Sequence, residues 1–210
     1  MAYRIKSVLS LADPADVLVS TDSEEYAKIA GAFGAFVPYL RPAALATDHA
    51  SSVGVVLHAM NWSLEQGRRY DYVGLLQPTS PFVKSSTLLK ACDSIAEDEA
   101  AQCIVAVKEV RPGTFYVQEN SKYLSVLTER FKTVKILRRQ DLKTEITPCG
   151  GLYIAKWDTF LREKTFYPEK TRALPVSDIE AVDIDEPIDW LWAEFLLENN
   201  FVNMSDLCSL

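Results

Sequence analysis

A short apolar run that ends at two prolines constrains this chain more than any other feature. Tyr72–Leu76 is long enough for one buried strand, and neither a strand nor a helix continues easily through Pro78 and Pro81. A polar loop is therefore expected at the carboxyl end of a strand, where ligands bind in open α/β sheets. Spacing alone equally allows an ordinary proline-rich turn. The polar side chains in this loop are Gln77, Thr79 and Ser80.

Strand and helix patterns alternate on both sides of this run. Val17–Val19 is typical of a buried strand, Ser23 of a helix N-cap, and Phe36–Val37 of a following strand, which together indicate a βαβ unit. Cys103–Val107 is a further buried strand that follows a helical pattern. The alternation predicts an α/β fold with a mostly parallel sheet and helices on both of its faces.

The pattern changes between Lys108 and Tyr167, where short β-forming segments are separated by polar turns. We predict a small, more antiparallel insertion over 108–167, and an α/β core formed by 1–107 and 168–210. Such an insertion exposes apolar strand edges, and a second subunit is the usual way of covering them, so the sequence predicts a homodimer. The segments are Phe115–Val117, Tyr123–Leu124, Val134–Leu137 and Gly151–Ile154.

Three further helices are predicted from their first residues and their apolar spacing. Asp48 is the expected cap of a helix with Ser51 and Ser52 in its first turn, where free backbone N–H groups favour an anionic ligand. Helix capping is the alternative role of both serines. Ser85 or Ser86 is expected to cap the next helix. The last helix has a predicted buried stripe formed by Ile188, Leu191, Trp192 and Phe195.

Acidic and apolar residues alternate just before the last helix, which places Asp183 and Asp185 on the same side of an extended segment. Two neighbouring carboxylates repel each other unless a cation joins them. Mg²⁺ takes such oxygen ligands and keeps several waters for a phosphate substrate. We therefore predict magnesium bound by Asp183 and Asp185. The alternative is an exposed strand in which Asp185 only caps the helix that follows, with Pro187 near its first turn.

Bulk composition narrows the class of protein. The 210 residues are 48% hydrophobic and 24% charged, which is ordinary for a globular chain. A formal charge of -7 with scattered basic residues argues against a nucleic-acid surface. The apolar runs are too short to span a membrane and the first residues lack the apolar core of a signal peptide, so we expect a cytoplasmic protein without a membrane partner. The four widely spaced cysteines predict neither a zinc site nor a disulfide framework.

Four stretches taken together resemble the CMP-N-acylneuraminate (CMP-sialic acid) synthetases, a family of cytidylyltransferases. Their order and spacing match the family over nearly the whole chain. The stretches are Val-Ser-Thr-Asp-Ser-Glu-Glu at 19–25, Leu-Arg-Pro-Ala-Ala-Leu-Ala-Thr-Asp-His-Ala-Ser-Ser at 40–52, Leu-Leu-Gln-Pro-Thr-Ser-Pro at 75–81 and Val-Asp-Ile-Asp at 182–185.

The resemblance implies a Rossmann-like α/β domain of the nucleotide-diphospho-sugar transferase type that is dimeric through its insertion. It implies transfer of CMP from CTP to the anomeric hydroxyl of a nine-carbon 2-keto acid sugar, with Mg²⁺ as cofactor and pyrophosphate as product. The implied site residues are Asp183 and Asp185 for Mg²⁺, Gln77 for the sugar, Ser52 near the nucleotide, Arg41 beside the phosphates, and Thr79, Ser80 and Ser51 as further substrate contacts. The alternative role of Arg41 is an ion pair that only orders its loop.

The sequence departs from the family in two places. Family members begin with a strand and a glycine-rich basic loop that cradles the triphosphate, and Met1–Tyr3 aligns with the helix after that loop. Either the start lies upstream, or this copy is truncated. In the insertion, Thr147 and Cys149 stand where relatives commonly have an arginine and an asparagine. Arg138 or Arg139 is therefore the candidate partner of the sugar carboxylate.

Two other functions are open on the sequence. One is a catalytically inactive homologue that keeps its dimer surface and acts as a binding or assembly protein, which the missing loop favours. The other is a cytidylyltransferase for a different keto sugar acid, such as 3-deoxy-manno-octulosonate, because such enzymes share the fold and the cytidylyl chemistry.

Overall fold

The computed structural model describes residues 1–110, the backbone of 115–117 and 124–126, and residues 145–203, 205 and 207. In this part of the chain, one four-stranded sheet lies between helices. Across the same residues, no helix is both long and apolar enough to cross a membrane.

Helices and strands follow one another in the order that the alternation predicts as far as residue 110. The described helices are α1 (Ala2–Leu9), α2 (Glu24–Ala32), α3 (Ser52–Glu65), α4 (Ser85–Ala96), α5 (Trp157–Glu163) and α6 (Pro187–Glu198). The described strands are β1 (Tyr72–Leu75), β2 (Cys103–Val110), β3 (Phe115–Val117), β4 (Leu124–Val126), β5 (Glu145–Lys156) and β6 (Thr171–Pro175).

The main sheet has the strand order β1-β5-β2-β6. β5 is antiparallel to both β1 and β2, whereas β2 and β6 are parallel. Three of the four strands therefore run in one direction, and β5 alone runs in the other. The α/β fold with a mostly parallel strand direction is confirmed, with β5 as the exception inside the sheet.

The position of β5 differs from the sequence analysis, which assigned its residues to the insertion. β5 instead lies between two core strands, with Tyr72 opposite Lys156 on one side and Cys103 opposite Ala155 on the other. A short apolar strand has the same two-residue period in an insertion and in a core sheet, so its pattern does not reveal its neighbours. β3 and β4 form a separate antiparallel pair. The predicted segment Val134–Leu137 lies outside the described residues.

Both faces of the sheet are covered by helices. On one face, Leu88, Ala91 and Ile95 of α4 pack against Ile104 and Leu152. On the other face, the helices α3 and α5 supply the apolar contacts. The residues of that second cluster include Val56 and Met60 of α3, Phe160 of α5, and Val105 and Ala155 of the sheet. These two layers confirm helices on both sides and keep β1, β2 and β5 in fixed register.

The first predicted strand pair is present as two isolated parallel bridges. Leu18 pairs with Phe36, and Thr21 pairs with Leu40. Between these segments, α2 begins after Ser23, whose side chain accepts a hydrogen bond from the Tyr26 N–H (3.3 Å). The βαβ order and the Ser23 cap are therefore confirmed.

Two helix predictions are wrong in detail. The N-cap of α3 is Ser51, which accepts a hydrogen bond from the Gly54 N–H (3.1 Å), and not Asp48. The N-cap of α4 is Lys84, and Ser85 is the first helical residue. In both cases several polar residues precede the apolar repeat, and local sequence does not select among them.

The predicted buried stripe of α6 is also wrong. Its residues are apolar on almost every side, so that their spacing does not single out one face. Ala193 and Leu196 face the core, whereas the large side chains point outward. The exposed members are Ile188, Leu191, Trp192 and Phe195.

Candidate functional site

The loop after β1 meets the Asp183 segment at the carboxyl end of the strand. Ser80 is fully buried, and its Oγ donates a hydrogen bond to Asp183 Oδ1 (3.0 Å). The backbone joins the same two segments, because the Ile184 N–H donates to the Thr79 carbonyl (2.9 Å). The polar loop and the acidic segment, which are far apart in sequence, therefore form one cluster.

A bulge in β5 forms the third side of this cluster. Val105 of β2 pairs with Tyr153, but Val107 pairs with Pro148, so residues 149–152 leave the ladder opposite Ala106. We call residues 149–152 the β5 bulge. Bulges bend a strand and redirect its backbone, and here the bend brings the strand toward the loop after β1.

Gly150 lies at the tip of the β5 bulge and touches the cluster with its backbone. Its φ of +74° falls in the left-handed region. A Cβ at this position would overlap Asp183 Oδ2 and lie 2.8 Å from Gln77 Oε1. Two side-chain oxygens from separate segments thus converge on one point above Gly150, and only a residue without a side chain fits beneath them.

Neighbouring contacts hold the Asp183 segment from both ends. Upstream, the buried Glu180 carboxylate accepts hydrogen bonds from Thr87 Oγ1 (2.5 Å) and the Lys84 N–H (3.3 Å) at the start of α4. Downstream, Asp189 Oδ2 accepts from the N–H groups of Asp185 (3.1 Å) and Glu186 (2.8 Å). The position of the segment is therefore set by α4 on one side and by the first turn of α6 on the other.

The two predicted metal ligands differ in their surroundings. Asp183 is half-buried in the cluster, whereas Asp185, two residues further along the chain, is exposed. Asp185 does not cap α6, because Glu186 is the N-cap. Among the described residues, no group of three or more His, Cys, Asp or Glu side chains is arranged to hold a metal ion. A cation at Asp183 would thus need oxygen ligands from an amide, water or substrate, which is the ligand set that Mg²⁺ favours.

Two residues outside the predicted site also interact electrostatically with Asp183. Burial and the nearby Asp183 charge raise the pKa of the Cys149 thiol, which keeps it protonated at neutral pH. Burial, together with a hydrogen bond to Tyr167, raises the pKa of Tyr153. Cys149 could be noticed in the sequence only as a departure from the family motif, and Tyr153 only as an aromatic in a β-strand.

The described contacts of Arg41 and Ser51 are local to the Asp22 loop and to the start of α3. Arg41 Nη2 is paired with Asp22 Oδ1 at 3.1 Å, and the hydrogen bond from Arg41 lowers the pKa of Asp22. The ion pair corresponds to the loop-ordering alternative for Arg41. Ser51 caps α3 and Ser52 is its first residue.

The predicted site is therefore only partly assembled by the described contacts. Gln77, Thr79, Ser80 and Asp183 come together, whereas Arg139 lies outside the described residues.

Comparisons with known proteins agree over most of the chain. A family model described as cytidylyltransferase matches residues 1–205. The CMP-N,N'-diacetyllegionaminic acid synthase of Legionella pneumophila is 32% identical over 202 residues, which cover 95% of this chain and 85% of that protein. The N-acylneuraminate cytidylyltransferase of Escherichia coli O18:K1:H7 is 31% identical over 190 residues, which cover 90% of this chain and 44% of that protein.

Solved structures give the same fold at low sequence identity. A CMP:2-keto-3-deoxy-manno-octonic acid synthetase complexed with CTP has a TM-score of 0.62 and 13% identity, with 95% of this chain and 87% of that chain covered. A 4-diphosphocytidyl-2C-methyl-D-erythritol synthase from Anaerococcus prevotii has a TM-score of 0.59 and 8% identity, with 93% and 89% covered. At these identities the likeness concerns the fold alone.

Proposed function

This chain belongs to the cytidylyltransferase family, and we propose that it transfers CMP from CTP to the anomeric hydroxyl of a nine-carbon 2-keto acid sugar. Pyrophosphate is the second product. The observation that carries the proposal is the cluster at the carboxyl end of β1, where Gln77 and Asp183 present oxygens over Gly150. Curated relatives named for legionaminic, N-acylneuraminic and pseudaminic acids favour a sugar of the sialic acid class.

The residues of the cluster suit the binding of a polar sugar. The Gln77 amide offers both a donor and an acceptor to sugar hydroxyls. Ser80 fixes one oxygen of Asp183, which leaves the other directed at Gly150. Such fixed geometry lowers the entropy cost of bringing the sugar hydroxyl in line with the α-phosphorus, and this positioning is the main contribution of the protein in phosphoryl transfer.

We also propose that Asp183 and Asp185 hold Mg²⁺. The crowding of carboxylate and amide oxygens around one point fits a hard cation better than a soft one. When bound, the ion would neutralise charge on the phosphates and polarise the α-phosphorus. Asp183 supplies a half-buried carboxylate and Asp185 an exposed one, so that Asp183 would hold the ion in the cluster and Asp185 would bind it from the solvent side.

The homodimer and the cytoplasmic location are part of the same proposal. The 108–167 segment, apart from β5 and α5, remains the candidate dimer region. A second apolar surface is available on α6, where Trp192 and Phe195 stack at 5.4 Å and are about half exposed. Light scattering coupled to gel filtration measures the oligomeric state, and a monomer at all concentrations would contradict the dimer.

Pyrophosphate release from CTP and Mg²⁺ with a panel of nine-carbon keto acids tests the function directly. The panel contains neuraminic, legionaminic and pseudaminic acids, with 3-deoxy-manno-octulosonate as the eight-carbon comparison. Activity with a nine-carbon acid is expected. Activity with the eight-carbon acid alone would identify that acid as the substrate in place of the proposed one. If this chain and a form extended by the family's glycine-rich segment are both inactive, the result would favour the catalytically inactive assembly protein.

A pair of variants links the activity to the cluster. Asp183→Asn should lower kcat/KM by about 10²-fold or more, because the proposed Mg²⁺ would lose an anionic ligand and with it part of the charge neutralisation at the phosphates. Asp158→Asn is the matched control, since Asp158 is an exposed carboxylate paired with Arg69 near the opposite end of β1. Equal effects of the two changes would show that Asp183 has no special role.

A further inference from the structure

Arg4 is a buried cation whose charge needs an explanation. It is only 4% exposed, and burial lowers the pKa of its guanidinium to about 10, which leaves it protonated at neutral pH. Within the described part of the chain, its Nε has no hydrogen-bond partner and no carboxylate is paired with it. Burying a charge without a counterion is costly, so a residue of this kind is unusual in a position that serves packing alone.

The guanidinium of Arg4 joins two segments of the candidate site from behind. Nη1 donates to the Val83 carbonyl (3.1 Å), and Nη2 donates to the Gly151 carbonyl (2.7 Å). Val83 ends the loop that carries Gln77 and Ser80, and Gly151 lies in the β5 bulge. Both bonds have a charged donor, which makes them stronger than bonds between neutral groups.

The two segments touch each other where Arg4 holds them. A Cβ at Gly151 would lie 2.6 Å from Val83 Cγ2 and 3.5 Å from Ser80 Cβ. Gly151 has no side chain that would keep the loop and the bulge apart. The distance between the two backbones therefore depends on the contacts that join them. The side chain of Arg4 spans that junction.

The helix that carries Arg4 is itself fixed to the core. Ser85 Oγ, at the start of α4, donates to the Ser7 carbonyl of α1 (3.1 Å). Ile5, the residue after Arg4, is buried against Ala30 and Ala35. Arg4 therefore extends from a helix that is fixed to the core, and its guanidinium can hold the loop and the bulge in place.

We propose that Arg4 is a positioning residue for the CMP transfer, and this inference rests on the proposed function. By binding both carbonyls, Arg4 sets the approach of the loop after β1 to the β5 bulge. That approach determines how Ser80, Gly150 and Asp183 pack together. Arg4 does not itself contact the sugar or the nucleotide.

Substitution of Arg4 tests the proposal with two readouts. Arg4→Met removes the charge and both bonds while keeping much of the aliphatic stem, and it should lower kcat by about 10²-fold, as expected for a displacement of about 1 Å in a site. Arg4→Lys keeps the charge, but an ammonium group lacks the planar fork that reaches two carbonyls, so a loss of about 10-fold is expected. Arg69→Met, at an exposed arginine, should leave kcat unchanged.

Hydrogen–deuterium exchange provides the readout that does not require turnover. In Arg4→Met, exchange should rise in peptides that cover 77–83 and 149–152, while peptides from α3 and α5 keep their protection. Exchange that stays unchanged, or that rises uniformly over the chain, would overturn the proposal. Wild-type kcat in Arg4→Lys would also overturn it, because the bridge to both carbonyls would then be unnecessary.

The outcomes separate this proposal from the proposed function. If the wild-type protein transfers no CMP to any keto acid, the proposed function fails, whereas the exchange pattern still decides whether Arg4 fixes the two segments. If Arg4→Met does not fold, Arg4→Lys carries the test. Unfolding of both variants would mean that Arg4 serves the whole fold and not the site, which also overturns the proposal.

Discussion

Substitution of Gly150 by alanine is the sharpest test of the site geometry. Gly150 has a φ of +74°, and the added Cβ would overlap Asp183 Oδ2 and approach Gln77 Oε1 at 2.8 Å. The backbone strain alone is about 1–2 kcal/mol for a residue other than glycine. Relief of the overlap requires movement of Asp183, whose other oxygen is bound by Ser80. Overpacking of this kind costs about 1–3 kcal/mol more.

Gly67 provides a control in which the same strain occurs without the overlap. Its φ is +72°, and no atom lies within 4 Å of an added Cβ. Gly67→Ala should therefore lower the free energy of unfolding by about 1–2 kcal/mol and leave catalysis unchanged. The difference in the free energy of unfolding between Gly150→Ala and Gly67→Ala measures the cost of displacing the cluster, without the contribution from φ.

Urea denaturation and pyrophosphate release measure the two effects separately. Gly150→Ala should be less stable than Gly67→Ala by about 1–3 kcal/mol, because relief of the overlap disturbs the bond between Ser80 and Asp183. Since Asp183 also moves, kcat/KM should fall by about 10²-fold. Wild-type kcat/KM in Gly150→Ala, together with the stability of Gly67→Ala, would refute the tight packing of Asp183 over Gly150.

The remaining predictions concern the same site and the core that supports it. Ser80→Ala removes a buried hydrogen bond to Asp183, so calorimetry should show weaker Mg²⁺ binding and a loss of about 1–3 kcal/mol in stability; unchanged Mg²⁺ affinity would contradict the role of Ser80. Phe160→Ala leaves a cavity at a fully buried position and should cost about 3–5 kcal/mol in denaturant titration, with a cost below about 1 kcal/mol excluding a packed core there. Cys103 is buried, with a thiol pKa raised to about 12, whereas Cys92 is exposed; iodoacetamide at pH 8 should therefore label Cys92 well before Cys103, as peptide mass spectrometry can determine, and the reverse order would contradict the burial pattern.

Local signals were sufficient for the elements that frame the site. The apolar run at Tyr72 and the prolines after it predict both β1 and the position of the polar loop, because proline acts on the backbone of its own segment. Ser23 caps α2 for a similarly local reason. Asp183 was selected from its alternation with apolar residues, and the structure brings it to Ser80.

Features that depend on distant parts of the chain could not be predicted in this way. The crowding at Gly150 arises where three segments meet, and a glycine in a β-forming stretch does not indicate which oxygens lie above it. Arg4 looks like an ordinary polar residue of an amphipathic helix, although it is buried against two carbonyls. The buried face of α6 was predicted wrongly because the helix itself is apolar on almost every side. Only tertiary packing selects Ala193 and Leu196 as its core side.

The long sequence separation of the site contacts has a consequence for biosynthesis. Ser80 and Asp183 are 103 residues apart, and Arg4 and Gly151 are 147 residues apart. A growing chain on the ribosome can form α2 and α3 before β5, the sheet neighbour of β1, and the carboxylate that completes the cluster have been translated. Closing loops of this length is slow, so the polar cluster should mature after the helices. During that interval β1 exposes an unpaired apolar edge, which favours aggregation until β5 pairs with it.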